Sequence, residues 1–342
     1  MSLRRILFPL VPLYAAAAAA KNALYDRGAM RQKSLAWPVI SVGNLSTGGS
    51  GKTPFVLALR DLLAGLGWEV DVLSRGYGRT GFATELVDPS GSAAHFGDEP
   101  LLLARAGAAV YVGADRYRAG QLAERQAHTA QPLHILDDGM QHRRLARQVE
   151  IVLLLQADLH DGLLPAGNLR EPLSSLRRAD IIVLREEDAG VEAVARKLLG
   201  PARTPLFWHV QRALRFKTMV GTLVPAPPRS LAFCALARPE DFFQSLRKNG
   251  CDPLSEVCFR DHHFYTAGDM AALAGQAYAR NATHFVVTAK DACKLTSDLM
   301  AVLTKVAPVI VADLVTTIQN KEKSAAELTA LLLRSYDERV RG

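Results

Sequence analysis

The stretch WPVISVGNLSTGGSGKTPFVLALR, residues 37–60, decides the fold. Its apolar run at residues 39–42 suits a buried strand, and the apolar period that follows Lys52 and Thr53 predicts a helix. The loop between them is rich in glycine, with Gly43, Gly48, Gly49 and Gly51. A strand, a glycine-rich loop and a helix in this order predict a phosphate-binding loop in an α/β sheet.

The residue types of this loop suit a nucleotide and its metal. Glycine lets the backbone turn N–H groups inward around phosphate oxygens, and here these groups would belong to Gly48, Gly49, Ser50 and Gly51. The Lys52 ammonium would reach the β- and γ-phosphates of ATP, and the Thr53 hydroxyl would bind Mg²⁺. Ser46 stands where the strict pattern has glycine, so a glycine-rich turn with an incidental Gly-Lys-Thr stays an alternative.

The composition is that of a globular protein with a modest basic bias. Hydrophobic residues make up 49% of the 342 residues and charged residues 22%, and this length favours two domains or one large core with a lobe. The net charge of +7 suits nucleotides, phosphorylated lipids or an acidic membrane surface. Aromatic residues do not interleave with the basic ones, so we expect no nucleic-acid partner. The cysteines form no CxxC pair and are typical of a reduced cytosolic core: Cys234, Cys251, Cys258 and Cys293.

The amino-terminal segment MSLRRILFPLVPLYAAAAAA, residues 1–20, joins basic and apolar residues. A signal peptide is one interpretation, but Pro9 and Pro12 interrupt the apolar run and the rest of the chain has cytosolic features. A membrane-spanning helix needs about 20 residues, and this run is shorter and broken by the prolines. We favour an interfacial helix with apolar side chains in the lipid and flanking basic residues at anionic headgroups. A helix packed against the domain is the alternative.

Two glycine-containing stretches follow at the boundaries of predicted elements. Residues 74–79, SRGYGR, end a predicted strand, and Arg75 there would either clamp an anion or be solvated. Asp98 precedes a predicted helix in the stretch FGDEP at residues 96–100. Without a chemical role, Asp98 would serve as a helix cap.

The stretch LHILDDGMQHRRL, residues 133–145, ends a predicted strand in paired carboxylates. Either Asp137 or Asp138 would hold Mg²⁺ or its water shell near the phosphate-binding loop. The nearby Gln141 and His142 make a merely solvated loop the less favoured interpretation. The order of roles within the aspartate pair stays open.

Strands alternate with helices up to about residue 200, which predicts a mainly parallel doubly wound sheet with ligands beyond the carboxyl ends of its strands. The prolines and mixed polarity of residues 201–229 indicate a crossover or a linker between lobes. Further strands and helices predict a second, smaller α/β lobe, with helices at about residues 239–248, 267–279 and 291–304. The predicted division is a membrane-associating segment (1–34), a nucleotide-binding catalytic domain (35–210) and a smaller α/β domain (211–342).

The second half carries two stretches with candidate chemistry. His262 and His263 follow Asp261, but adjacent side chains do not easily converge on one metal ion. General-base work by one histidine paired with a carboxylate is therefore favoured. The stretch TAKD, residues 288–291, lies at a predicted strand-to-helix turn, where Asp291 would do no more than begin the helix.

Eight stretches resemble the tetraacyldisaccharide 4'-kinase family, the inner-membrane lipid A kinases of Gram-negative bacteria. They are VGNLSTGGSGKTP (42–54), SRGYGR (74–79), GDEP (97–100), LDDGMQHRRL (136–145), LPAGNLREP (164–172), RPEDFF (238–243), FRDHHFY (259–265) and TAKDACKL (288–295). The resemblance spans nearly the whole chain. It implies a P-loop kinase with two α/β lobes, in which ATP and Mg²⁺ serve to phosphorylate the 4'-hydroxyl of a tetraacyldisaccharide 1-phosphate to lipid IVA, at the cytoplasmic face of the inner membrane.

The resemblance also implies residue roles. Asp98 and His262 become the dyad that takes the proton from the sugar hydroxyl, with His263 as a weaker candidate. The implied metal set is Thr53, Asp138 and Glu171. Other residues expected to line the site are Asn44, Arg75, Asp137, Gln141, His142 and Asn168. The implied partners are the lipid acceptor and the membrane surface, with no protein partner.

Departures from the family pattern are few, at Ser46, Ser50, Ala289 and residues 155–157, and none removes a residue assigned to chemistry. Two other functions stay open from the residues alone. A soluble P-loop kinase of a small metabolite would make no use of residues 1–20. A nucleotide-switched, membrane-tethered interaction protein would need neither Asp98 nor His262.

Overall fold

Within the part of the chain that the structure describes, the apolar runs assemble into one mixed sheet of thirteen strands. The computed structural model describes residues 3–126, 130–188, 190–201 and 204–341, and it describes side chains from residue 7 to residue 334 of these ranges. The strands are β1 (Val39–Asn44), β2 (Glu69–Ser74), β3 (Glu85–Leu86), β4 (Ala109–Val112), β5 (Pro132–Asp137), β6 (Val149–Leu153), β7 (Ile181–Arg185), β8 (Leu206–Thr218), β9 (Leu223–Val224), β10 (Ser230–Cys234), β11 (Ser255–Cys258), β12 (His284–Thr288) and β13 (Val309–Ile318).

Helices connect these strands and cover both faces of the sheet. The α-helices are α1 (Val11–Asp26), α2 (Lys52–Gly65), α3 (Ala93–Phe96), α4 (Asp98–Arg105), α5 (Arg116–Gln126), α6 (Val191–Leu199), α7 (Pro239–Lys248), α8 (Ala267–Ala279), α9 (Ala289–Ala292), α10 (Ser297–Thr304) and α11 (Lys321–Arg341). Short 3-10 helices lie at Leu3–Leu10, Gln156–His160, Leu173–Arg178 and Glu186–Asp188.

The sheet consists of two parallel blocks joined by one antiparallel pair. Its order is β11-β10-β12-β13-β8-β7-β6-β1-β5-β2-β4-β3, and β9 adds to β8. In the first block, seven strands run parallel to one another: β4, β2, β5, β1, β6, β7 and β8. The second block is the parallel set β11, β10, β12 and β13. The short strands β3 and β9 add antiparallel to β4 and β8. The pair β13–β8 is antiparallel. The prediction of a mainly parallel α/β sheet with a second, smaller α/β block is confirmed.

The core follows from strands that are apolar on both faces, as expected of a parallel sheet covered by helices. In β7, Ile181 and Val183 pack with α2 on one face, while Ile182 and Leu184 pack with α6 on the other. In the second block, Phe285 and Val287 of β12 face one cluster and Val286 faces the other. Side-chain alternation along each strand thus splits the core into layers.

The prediction of a linker at residues 201–229 is wrong for most of its described length. Residues 206–218 form β8, which pairs with β7 along one edge and with β13 along the other. Polar residues that share one face of β8, such as Gln211 and Arg215, are exposed, so the strand lacks a continuous apolar run. Its partners β7 and β13 are separate strands of the sheet. Pairing with them outweighs the weak strand propensity of the segment itself.

The single helix predicted at residues 291–304 is also wrong. The chain forms α9 and α10 instead, with a break before Thr296. The Thr296 Oγ1 accepts the Leu299 N–H at 3.4 Å and caps α10. A threonine side chain that satisfies a free backbone donor starts a new helix rather than continuing an old one.

The carboxyl-terminal helix α11 returns to the first block. Leu328 and Leu332 are buried in the same cluster as Leu63 of α2, and the Trp208 indole donates to Glu327 at 2.8 Å. Strand β8 itself runs through residue 210. The division of the chain at residues 210 and 211 stays a prediction.

The amino terminus is helical throughout its described part. The expectation that prolines break it is wrong, because Pro9 lies in a 3-10 helix and Pro12 lies in the first turn of α1, where no backbone N–H is required of it. Residues Leu7–Asp26 form a helix long and apolar enough to cross a membrane by length and composition. Leu13 is 71% exposed and Phe8 68% exposed. Of the cysteines, Cys258 is exposed rather than in the core.

Candidate active site

A cavity of about 2500 Å³ lies between the two parallel blocks. Elements at the carboxyl ends of strands from both blocks line it, as expected for ligand sites in open α/β sheets. The first block contributes the loop at residues 47–54 and the aspartate pair, and the second contributes His262 and Lys290. Lys21 and Tyr25 of α1 form part of the wall, so the amino-terminal helix borders the site.

The glycine-rich loop has the backbone that a phosphate requires. Gly48 and Gly51 have φ angles of 100° and 84°, which glycine adopts without strain, and Gly51 leads directly into α2. Ser46 has no left-handed backbone and is bridged to Leu169, so glycine is not required there. The buried Ser50 Oγ has no hydrogen-bond partner among the described residues, which suits a hydroxyl that meets a ligand oxygen.

Lys52 is held at the mouth of this loop by side chains of neighbouring strand ends. Its Nζ donates to the Asn44 Oδ1 at 2.9 Å and lies 3.3 Å from the Asp138 Oδ1. Arg170 binds both oxygens of Asp138 at 2.8 Å and also donates to the Asn44 Oδ1. A buried asparagine oxygen therefore orients both cations.

The paired carboxylates have opposite environments. Asp137 is buried and accepts the Ser74 hydroxyl at 3.0 Å, and burial together with the charges of Glu99 and Asp138 raises its pKa to about 7. Burial acts against charge on Asp138 too, but the Arg170 hydrogen bonds and the Lys52 charge outweigh it and lower its pKa well below the usual range. Carboxylates crowded in this way favour an added cation. With the Thr53 hydroxyl on the same wall, the hard oxygen donors fit Mg²⁺.

A basic wall lies beyond the carboxylates. Arg75 is exposed to the cavity, whereas Arg116 is buried, and burial together with the Arg75 charge lowers the pKa of Arg116 to about 10. Burial and the Arg116 charge lower the pKa of His142 to about 4, so this imidazole is neutral at pH 7. Gln141 fixes the wall by donating to the Asn44 carbonyl at 3.1 Å.

The structure brings Asp98 and His262 together across the two blocks. Asp98 is the first residue of α4, and its Oδ1 accepts the Glu99 N–H at 3.0 Å. Gly97 occupies the cap position of α4 and no described side chain caps this helix, so the alternative of Asp98 as a helix cap is wrong. Its Oδ2 lies 3.0 Å from the His262 Nδ1. The Tyr77 ring packs on the imidazole with 5.3 Å between ring centroids.

The contact between Asp98 and His262 shifts the pKa values of both side chains. The hydrogen bond that the ring donates to Asp98 raises the pKa of His262, although burial and the Lys290 charge oppose it. Burial disfavours charge on Asp98, but His262, Lys290 and Lys294 outweigh burial and lower its pKa. A carboxylate that fixes one imidazole nitrogen and leaves the other facing a cavity is the arrangement of a general base.

Comparison with known proteins agrees with this site. The family model for tetraacyldisaccharide-1-P 4'-kinase matches residues 3–333. The chain is 45% identical to the tetraacyldisaccharide 4'-kinase of Koribacter versatilis over 84% of this chain and 88% of that protein. It is 39% identical to the tetraacyldisaccharide 4'-kinase of Geobacter metallireducens over 82% of this chain and 86% of that protein. The chain belongs to the tetraacyldisaccharide 4'-kinase family.

A solved member of the family shares the fold. The crystal structure of the "apo" form of LpxK from Aquifex aeolicus in complex with ATP has a TM-score of 0.75 and 32% identity, and the match covers 97% of this chain and all of that one. Family membership makes the chain an ATP-dependent kinase of lipid A biosynthesis. The two alternatives left open by the residues, a small-metabolite kinase and a non-enzymatic switch, give way to this assignment.

Three residues that the family resemblance places in the site do not line the cavity: Asn44, which lies behind it as the partner of Lys52 and Arg170, Glu171 and Asn168. Glu171 accepts from Arg178 at 2.8 Å and from Asn22 of α1 at 2.7 Å, which anchors the amino-terminal helix. The Asn168 carbonyl accepts the Thr47 N–H at 2.8 Å and so supports the start of the phosphate-binding loop. Their assignment to the tetraacyldisaccharide 4'-kinase site stays a prediction. His263 does line the cavity, but its Nε2 is engaged by Asp269 at 2.9 Å.

Sequence reasoning missed several charged residues of this kinase site. Arg116 and Arg170 line the cavity, and Arg170 is the main partner of Asp138. Glu99 and Lys290 lie beside the Asp98–His262 pair. Of these four residues, only Lys290 lies in a stretch whose pattern indicates a site, because that stretch forms a strand-to-helix turn, where parallel sheets bind ligands. The partners of the others are remote in sequence, so no local pattern points to them.

Proposed function

We propose that this kinase works at the cytoplasmic face of the bacterial inner membrane, with Mg²⁺ and ATP at the loop of residues 48–53 and Asp98–His262 as the base. The acceptor is the 4'-hydroxyl of tetraacyldisaccharide 1-phosphate, and the product is lipid IVA. The observation that carries this proposal is the shared cavity, in which the phosphate-binding loop, His262 and the end of the apolar helix α1 meet.

Each part has a task in phosphoryl transfer. Lys52, the loop N–H groups and the dipole of α2 would hold the β- and γ-phosphates and offset their charge. The Nε2 of His262, which Asp98 does not engage, would accept the proton of the attacking hydroxyl, while Asp98 holds the ring in the tautomer that leaves Nε2 unprotonated. The basic wall at Arg75 and Arg116 would bind the 1-phosphate of the acceptor.

The metal would be held by Thr53 and Asp138, with Glu171 as a third ligand on the family resemblance. Asp137 is the alternative to Asp138. Bound Mg²⁺ neutralises charge on the phosphates. Asp138→Asn is expected to raise the Mg²⁺ concentration for half-maximal activity at least about tenfold, because one anionic donor is lost.

A Mg²⁺ titration of activity with Asp138→Asn, Asp137→Asn and Glu171→Gln separates the candidates. A variant that has lost a metal ligand needs more Mg²⁺. If Glu171 only joins Arg178 to Asn22, Glu171→Gln keeps the wild-type Mg²⁺ requirement and loses thermal stability. Equal Mg²⁺ requirements for wild type and Asp138→Asn would refute the proposed set. Exposed Asp61→Asn is the control for a charge change on the same block.

Membrane association makes a separate prediction. Phe8 and Leu13 are exposed, and a double substitution to aspartate is expected to lower partitioning into vesicles with anionic lipid at least about tenfold, because apolar burial is lost and charge is added. Vesicle flotation of the full chain measures this. Val220→Asp, at an exposed turn 89% accessible, is the matched control.

The same variants test the acceptor. The double variant should lose activity on the tetraacylated acceptor in vesicles and keep it on an acceptor presented in dilute detergent, since the catalytic groups are untouched. Equal flotation of the variant and wild type would refute the interfacial role of residues 7–26. A chain that hydrolyses ATP and never labels the lipid would refute the acceptor.

A further inference from the structure

A lysine of the second block lies against the proposed base. The Lys290 Nζ is 3.5 Å from the His262 Nε2, 3.2 Å from the Glu99 Oε1 and 3.6 Å from the Asp98 Oδ2. Its side chain is only 18% exposed, and what is exposed faces the cavity. The groups proposed above for phosphate binding and acceptor binding do not include this lysine.

The backbone that carries Lys290 is fixed. Thr288 caps α9 by accepting the Asp291 N–H at 3.0 Å, and the fully buried Asp291 accepts the Ala235 N–H at 3.0 Å. The Lys294 ammonium binds Asp291 at 2.8 Å from the next turn. Lys290 therefore projects from a rigid turn at the end of β12, and its ion pairs with Glu99 and Asp98 hold the ammonium beside the ring.

We propose that Lys290 is a positioning residue for the base, which keeps the His262 Nε2 unprotonated and aimed at the hydroxyl. This inference rests on the proposed role of Asp98–His262. Asp98 engages Nδ1, so the working nitrogen of the ring is Nε2. An ammonium only donates hydrogen bonds, and two N–H donors repel when they face one another, so the ammonium disfavours a proton on Nε2.

The charges around the His262 ring explain what the Lys290 contact does. The charged groups that face His262 directly, or through one partner, are Asp98, Glu99, Asp261, Lys290 and Lys294. The carboxylates favour the imidazolium, which cannot accept a proton, and the Lys290 charge opposes them. Burial acts against the Lys290 charge, but Glu99 and Asp98 raise its pKa, so it stays cationic at pH 7.

The test measures protonation and catalysis separately. Full-length wild type, Lys290→Met and Lys290→Arg are labelled with ¹³C at the histidine Cε1, and His262→Gln identifies the His262 signal. Lys290→Met is expected to raise the pKa of His262 by about one unit, while Lys290→Arg stays near wild type. Lys305→Met, exposed on the same block, controls for loss of a lysine.

The rate of phosphoryl transfer should follow the titration. The acid limb of the pH profile for Lys290→Met should move up by the same amount, with about a tenfold lower rate on that limb and convergence with wild type at high pH. An unchanged pKa of His262, or a loss of rate that is equal at every pH, would overturn the proposal. Agreement of the thermal unfolding of Lys290→Met and Lys290→Arg with that of wild type shows that both variants are folded.

The two proposals fail in different ways. If His262→Gln keeps the wild-type rate, the proposed base is wrong, and this role of Lys290 falls with it. If His262→Gln is inactive while the His262 signal of Lys290→Met titrates as in wild type, only the role of Lys290 is overturned. An inactive His262→Gln together with the shifted titration supports both.

Discussion

Replacing Asp98 with asparagine is expected to lower kcat about 100- to 10,000-fold and to leave ATP affinity within about twofold of wild type. Asparagine has nearly the same shape and keeps an oxygen for the Glu99 N–H. Its amide N–H would donate to the His262 Nδ1 where the carboxylate now accepts. The proton of the neutral ring would then move to Nε2, and the base would hold the wrong tautomer.

The measurement is single-turnover transfer to the tetraacyldisaccharide 1-phosphate, with ATP binding determined by calorimetry. Asp61→Asn is the control, because Asp61 is 66% exposed and pairs only with its neighbour Arg60 among the described residues. A fall in ATP affinity equal to the fall in kcat would contradict a role confined to proton transfer. His262→Gln should lose activity to a similar extent, and the double variant should be little worse than either single one.

The pH profile of wild-type activity tests the direction in which Asp98 shifts the pKa of His262. The Asp98 contact raises the pKa of His262, so the imidazole is protonated and inactive over a wider acidic range than an ordinary histidine. Activity should therefore rise with pH along a limb that lies above the usual histidine value of about 6.5. His262→Gln should lack this limb in its residual activity. A limb that persists there would assign it to another group.

The parts of the fold that the sequence predicts are those with a local cause. Pro239–Lys248 and Ala267–Ala279 form helices at the predicted bounds, because a proline or a capping threonine marks each start. The loop at residues 48–51 was found for a similar reason, since only glycine adopts its φ angles freely. Backbone chemistry of this kind is visible in a few adjacent residues.

The parts that the sequence hides depend on distant partners. Residues 206–218 carry alternating polar side chains and become a strand because β7 and β13 offer two edges for pairing. Arg170 looks like one basic residue in a loop, and its bidentate contact with Asp138 depends on two segments 32 residues apart. Glu171 shows the reverse case, in which a plausible metal ligand is already paired with the charge of Arg178 and hydrogen-bonded by Asn22. Ion pairs between residues that are distant along the chain leave no periodic pattern in the sequence.

Lys52→Met is expected to lower kcat/KM about a thousandfold and, unlike Asp98→Asn, to weaken ATP binding as well. The ammonium lies at the start of α2, where the helix dipole and the loop N–H groups already favour phosphate. Removing a cation that touches the phosphates in both the ground state and the transition state costs affinity and rate together. Lys52→Arg should not restore activity, because the planar guanidinium does not fit the place of a compact ammonium held by Asn44.

The variant should stay folded, which makes the kinetic result interpretable. Without Lys52, Asn44 and Asp138 both keep Arg170 as a partner, so neither buried group is left without a hydrogen bond. Thermal unfolding of Lys52→Met, with Lys305→Met as the exposed control, checks this. Normal ATP affinity in a folded Lys52→Met would show that the loop backbone alone holds the nucleotide. The lysine would then act only on the transferring phosphoryl group, and its loss would lower kcat alone.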